Sequence, residues 1–114
     1  MQKLAYTITP IYDKTHPDIY KSGIYIIKNK IDNRVYIGSA KQFRKRFKEH
    51  TSGLLYNKHH SIKLQNFVNK YGINLLYIEI LELCEYSEKL YELELEYINK
   101  FNSYKKGFNC YDKL

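Results

Sequence analysis

A glutamate on the wrong face of a helix is the first residue in this sequence that asks for chemistry. From Ser87 to Phe101 or Asn102 the chain reads as a helix whose apolar stripe is Leu90, Leu93, Tyr97, Ile98 and Phe101. At 3.6 residues per turn Glu94 falls inside that stripe, between Leu90 and Ile98, while Glu92 and Glu96 point outward. A carboxylate on a core-facing stripe is costly unless a cation or several donors compensate it. Such a residue is a partly exposed glutamate at the stripe's edge, a partner of a buried arginine, or a ligand for a hard divalent metal, for which Mg²⁺ is the natural choice.

A second group lies on the stretch Lys41 to Thr51, which reads as a helix with Phe43, Phe47 and His50 on one side and Gly53 as its stop. Lys41, Arg44, Lys45 and Lys48 form a solvated basic face with a general attraction for phosphate. Arg46 borders the Phe43, Phe47 and His50 side, where a guanidinium can fork onto a phosphate while held against the fold. His50 alone reads equally well as a satisfied core histidine. His59-His60 reads as solvent-exposed loop, and two adjacent histidines that point in different directions make a poor metal pair. Tyr25 and Tyr36, taken singly, are ordinary strand aromatics. Together, two tyrosines, an arginine, a histidine and one buried carboxylate on a basic scaffold make a constellation suited to cleaving a phosphodiester.

These residues need elements to position them. Gly23 to Asn29 and Arg34 to Gly38 are rich in Ile, Val and Tyr and flank the polar stretch Lys30-Ile31-Asp32-Asn33, a hairpin signal. Period two puts Ile24 and Ile26 on one face, and Tyr25 and Ile27 on the other; Val35 and Ile37 share a face opposite Tyr36. If the aliphatic pairs face one core, Tyr25 and Tyr36 emerge together on the other side. Ser61 looks like the N-cap of a helix that buries Leu64, Phe67, Val68 and Tyr71 and ends at Gly72. Leu75 to Leu83 reads as a third strand, Ser87 as the cap of the helix carrying Glu94, and Gly107-Phe108-Asn109 as a terminal turn. The order strand, strand, helix, helix, strand, helix predicts an α+β domain with helices on a small sheet. Residues 1–21 hold both prolines and no sustained periodicity; apart from a short edge strand at Thr7-Ile8-Thr9 they read as an irregular arm before a domain spanning 22–114.

Composition agrees with a polyanion partner. A chain of 114 residues with net charge +7 and a pI near 9.3 forms one domain attractive to nucleic acid. Cys84 and Cys110 supply neither a disulfide framework nor a zinc spacing. No stretch resembles a signal peptide or a membrane span, so an intracellular soluble protein with no membrane partner is expected. Thirteen tyrosines and no tryptophan reflect first the codon bias of an AT-rich genome, and only second base stacking.

Gly23-Ile24-Tyr25, Tyr36-Ile37-Gly38, then Arg46, His50, Glu94 and Asn109 in order resemble the GIY-YIG nucleases over Ser22 to Asn109. Tyr36-Ile37-Gly38-Ser39-Ala40-Lys41 and His60-Ser61-Ile62-Lys63-Leu64-Gln65 are most similar to the catalytic domain of phage intron-encoded homing endonucleases. The resemblance implies a three-stranded antiparallel sheet flanked by helices and metal-dependent hydrolysis of DNA, duplex or branched, to 5′-phosphate and 3′-hydroxyl ends. It further implies one Mg²⁺ or Mn²⁺ ion on Glu94, Arg46 on the scissile phosphate, Tyr25 and Tyr36 as paired active-site tyrosines and His50 as a supporting histidine. Asn109 would match the asparagine at the C-terminal edge, and His59 a further histidine of the homing branch that contacts DNA. Tyr25 would orient or deprotonate the attacking water. Homing enzymes carry a linker and a DNA-binding domain after this one, whereas the sequence stops at Leu114; it therefore reads as an excised nuclease domain or a free-standing one, acting as a monomer or a transient dimer on DNA. A structure-selective repair or recombination nuclease, or a non-catalytic nucleic-acid-binding module of the same fold, are the alternatives.

Overall fold

A computed structural model describes residues 11–110. Strands β1 (Gly23–Asn29), β2 (Tyr36–Ala40) and β3 (Leu76–Leu83) form an antiparallel sheet in the order β2-β1-β3. Helices α1 (Phe43–Leu55) and α2 (Ile62–Tyr71) follow β2, a 3-10 turn (Ile73–Leu75) leads into β3, and α3 (Ser87–Phe101) and a short α4 (Ser103–Lys106) follow it.

Period two works as expected, but both faces of the sheet are covered. Ile24, Ile26, Val35 and Ile37 pack under Leu90 and Ile98 of α3. Tyr25, Ile27 and Tyr36 face the opposite way, into a larger core with Phe43, Phe47, Leu54, Leu64 and Phe67 of α1 and α2. The two tyrosines thus share a face, and that face is a protein interior: Tyr25 is 1% exposed and Tyr36 5%.

Several boundaries differ from expectation for identifiable reasons. Strand β2 begins two residues late because Asn29 holds the turn open through Arg34: its Oδ1 accepts from the amides of Ile31 and Asp32, and its Nδ2 donates to the carbonyl of Arg34. Gly53 does not stop α1; it faces the backbone of His59 within the helix, and the chain leaves only at Asn57, in the left-handed region at φ 59°. Ser61 caps α2 as expected, accepting from the Leu64 amide, and Gly72 ends the helix at φ 96°. Tyr71, expected in the core, is exposed. Ser87 is the first residue of α3 and provides no side-chain cap.

The described part of the N-terminal arm, from Ile11, is built into the domain. Ile11 and Ile19 are buried in the larger core, and the Ile11 carbonyl accepts from the Ile78 amide on the outer edge of β3. Gln42 gives α1 no side-chain cap, and the carbonyls of Lys21 and Ile19 take the amides of Phe43 and Arg44 instead. Thr7-Ile8-Thr9 lies outside the described residues. No helix among the described residues is long and apolar enough to cross a membrane.

Candidate active site

The two motif glycines have separate structural causes. At Gly23 a Cβ would overlap the Glu82 carbonyl oxygen of β3, next to an irregularity in the ladder at Ile24 and Tyr25. Gly38 lies directly across the ladder from Tyr25, and a Cβ there would overlap the Tyr25 hydroxyl. The first glycine lets two strands close; the second makes room for a phenol.

That phenol enters a network which α1 and the loop before α2 complete. The Tyr25 hydroxyl is hydrogen-bonded to His50 Nε2. His50 Nδ1 lies 2.6 Å from His59 Nε2, and the Ser61 amide donates to His59 Nδ1 at 2.9 Å. Beside it, the Tyr36 hydroxyl and His60 Nε2 are 2.8 Å apart. The rings of His59 and His60 stack with centroids 4.4 Å apart, and His50 stacks on His59 at 4.9 Å. The expectation of a solvent-exposed loop with diverging histidines is therefore corrected. The His59 amide bonds Gln65 Oε1 and the Ser61 amide bonds the His59 ring, so the loop is turned back onto the sheet with both rings on the tyrosine side.

Burial sets the charge states here. His50 is buried, and desolvation, with the nearby His59, His60 and Arg46, holds its pKa well below the usual histidine value. Desolvation and then His60 lower His59 to about 4. Burial, reinforced by Tyr36, pushes the Tyr25 phenol up. At neutral pH His50 and His59 are neutral imidazoles and Tyr25 is a protonated phenol.

The carboxylate lies across the sheet. Glu94 is 4% exposed, midway along the buried line Leu90, Glu94, Ile98. Ser39 donates its hydroxyl to Glu94 Oε1 at 2.6 Å. Both line an open cleft of about 660 Å³ with Lys41, Lys45, Arg46 and Glu49. The oxygens present, from two carboxylates and a hydroxyl, suit a hard cation that keeps water and substrate oxygens in its shell. Among the described residues no group of three or more acidic, histidine or cysteine side chains is arranged to hold an ion alone.

Arg46 connects the two sides. It lines both the Glu94 cleft and a smaller cavity of about 150 Å³ walled by His50, His59 and His60. Its guanidinium is 3.4 Å from Glu49 and about half exposed, so it is available to an anion instead of being locked in the fold.

The remaining expected residues fall elsewhere. Asn109 is buried at the outer edge of β2, where its Oδ1 accepts from the Ile37 amide and its Nδ2 donates to the Ile37 carbonyl. It extends the ladder by one residue and holds the strand between Tyr36 and Gly38. Lys41 and Lys45 face the Glu94 cleft, while Arg44, Lys45 and Lys48 line a groove along the outside of α1 that also holds Lys58. Arg44 is packed over the Tyr20 ring. His59, expected on DNA, is engaged with His50 and Ser61. Sequence reasoning gave no site role to His60, which it read as exposed loop, or to Ser39 and Glu49. Ser39 and His60 had a local signal, standing in the two stretches that carry the family resemblance; Glu49 had none.

Comparisons with known proteins match most of the chain. The family described as GIY-YIG catalytic domain matches residues 21–109. The chain is 47% identical over 93 residues to intron-associated endonuclease 1 of Enterobacteria phage T4, covering 81% of this chain and 38% of that protein. It is 42% identical over 88 residues to the probable intron-encoded endonuclease 1 of Neurospora crassa, covering 72% of this chain and 28% of that protein. The chain thus spans well under half the length of these relatives. Among solved structures, the catalytic domain of homing endonuclease I-TevI superposes with a TM-score of 0.76 at 45% identity, over 81% of this chain and all of that one.

Proposed function

The chain belongs to the family of GIY-YIG catalytic domains, and we propose that it is the cutting domain of a divalent-metal-dependent DNA endonuclease of the homing type. It hydrolyses a phosphodiester to leave a 5′-phosphate and a 3′-hydroxyl. The observation that carries this reading is the position of Arg46, which lines both the cleft holding Glu94 and the cavity walled by the histidines. A phosphate drawn to this guanidinium has a buried carboxylate on one side and the tyrosine–histidine network on the other.

The roles follow from the geometry. Arg46 binds the scissile phosphate and offsets the charge that builds on its oxygens. Glu94, oriented by the Ser39 hydroxyl, would hold a Mg²⁺ or Mn²⁺ ion, with Glu49 on the same cleft wall. When bound, such an ion polarises a phosphate oxygen and offsets charge on the leaving oxygen. Tyr25, whose buried phenol stays protonated at neutral pH, orients the attacking water as a hydrogen-bonding group, in preference to acting as a standing phenolate. His50 and His59 fix the phenol; Tyr36 and His60 form the adjoining wall. Lys41, Lys45 and Lys48 attract the flanking phosphates.

Incubation with supercoiled plasmid and branched DNA, with and without Mg²⁺ or Mn²⁺, tests the reading. Cation-dependent cutting by the wild type and its loss in Glu94→Gln and Arg46→Ala are expected. Equal cutting by wild type and Glu94→Gln would sink the metal assignment. Binding without cutting under every condition would sink the nuclease.

A further inference from the structure

The network around Tyr25 contains one group whose hydrogen-bonding direction is not negotiable. Imidazoles and phenols can donate or accept, but a backbone amide only donates. The Ser61 amide points at His59 Nδ1 from 2.9 Å, so that nitrogen must present its lone pair. A neutral His59 then carries its proton on Nε2, which is 2.6 Å from His50 Nδ1. His50 Nδ1 must accept, and a neutral His50 carries its own proton on Nε2, against the Tyr25 hydroxyl oxygen.

The opposite polarity fails at its last link. If Tyr25 donated to His50 Nε2, His50 Nδ1–H would donate to His59 Nε2, and His59 would carry its proton on Nδ1. Two donors would then face one another where the Ser61 amide meets the ring. Protonating either ring meets the same obstacle: a charged His59 opposes the Ser61 amide, and a charged His50 opposes His59 Nε2–H. Ser61 is rigidly placed, since its hydroxyl donates to the Phe108 carbonyl and accepts from the Leu64 amide at the start of α2.

We propose that the Ser61 backbone amide sets the direction of the hydrogen bonds through His59 and His50, so that Tyr25 Oη accepts from His50 Nε2–H and keeps its own proton for a partner other than an imidazole. His50 is thereby a donor that steadies the phenol oxygen, not the base that removes its proton, and His59 is a positioning residue acting through His50. The assignment of directions stands on the hydrogen-bond geometry; its bearing on turnover rests on the nuclease reading above.

The test is the protonation pattern of the ring nitrogens in the full chain, labelled with ¹⁵N-histidine and read by long-range ¹H–¹⁵N correlation near neutral pH. Both His50 and His59 should show a protonated Nε2 and an unprotonated Nδ1. A protonated Nδ1 on either ring overturns the proposal. Ser61→Ala keeps the amide and removes the hydroxyl, so the pattern should persist; a changed pattern in a folded variant would place control in the side chain and overturn it. His59→Gln keeps a side-chain amide against His50 Nδ1 that can turn either its donating Nε2 or its accepting Oε1 toward it. There His50 should become a mixture of tautomers, with kcat lowered about tenfold or more and KM within about twofold. A His50 that stays wholly Nε2-protonated in His59→Gln shows the direction is set elsewhere. The stated tautomers in a chain that cuts no DNA would support the assignment and overturn the nuclease reading alone.

Discussion

The two faces of the sheet solve the same problem in opposite ways. Each buries a titratable group on a helix stripe: His50 between Phe47 and Leu54 on α1, and Glu94 between Leu90 and Ile98 on α3. On the first face the polar atoms are paired inward, ring to ring and phenol to ring, and burial keeps them neutral. On the second, Glu94 is held by Ser39 at the wall of an open cleft that basic residues surround. The first arrangement fixes geometry by excluding charge; the second concentrates charge where a cation and a phosphate can meet it. A hydrolytic site needs both, and three strands suffice to separate them.

Breaking the carboxylate side should have the largest effect. Glu94→Gln removes the charge but keeps an acceptor for Ser39, so the fold should hold while plasmid cleavage falls by about 10³-fold or more. A variant that melts with the wild type yet cuts comparably would mean that the charge on this face is not used.

The next break is on the other face and is steric. Gly38→Ala places a methyl against the Tyr25 hydroxyl. Displacing the phenol should cost about 1–3 kcal/mol of stability and about 100-fold in cleavage. Unchanged activity would show that the phenol position is not critical.

Acid sharpens the comparison without any substitution. His59 takes a proton near pH 6.5 when unfolded but only at about 4 in the fold. The stability contributed by its neutral ring is therefore fully present above about pH 6.5 and lost as pH falls toward 4. With allowance for its partial exposure this is about 1–2 kcal/mol, read as a Tm that declines over that interval. His59→Gln should flatten the decline, and an equally steep curve in that variant would contradict the assignment.

The smallest effect is expected from a residue on neither side. Lys48 lines the outer groove of α1, and Lys48→Ala should weaken DNA binding at low salt and reduce the salt slope by about one, with kcat unchanged.

What could be read from the sequence follows the range of the interactions involved. Glu94 was visible because a helix period is local, and a single out-of-place carboxylate breaks it. The tyrosine pair was visible because strand period is local too, although its burial was not: nothing near Tyr25 announces that α1 and α2 will cover that face. The imidazole cluster was hidden because His59 reaches His50 only through a loop turned back by Gln65 and Ser61. A side-chain amide six residues downstream and a backbone amide two residues downstream redirect it, and no periodicity reports them. The α1 cap was hidden likewise, being supplied by main-chain carbonyls of an arm with no pattern. Arg46 was singled out for its place beside the apolar side of α1, but its position between two cavities exists only in three dimensions.

The amide of Asn109 also bears on the order in which the domain is made. Strand β2, with Tyr36 and Gly38, leaves the ribosome early, yet its outer edge is latched by a residue 72 positions later. A nascent chain can pair β1 with β2 but cannot seal β2 until the end of the domain has been synthesised. Cutting competence should thus arrive late and as a unit, and a partly made chain should be harmless to nucleic acid nearby. The exchange rate of the Ile37 amide reports this: protected to the level of global unfolding in the full chain, and open in one ending at Ser103.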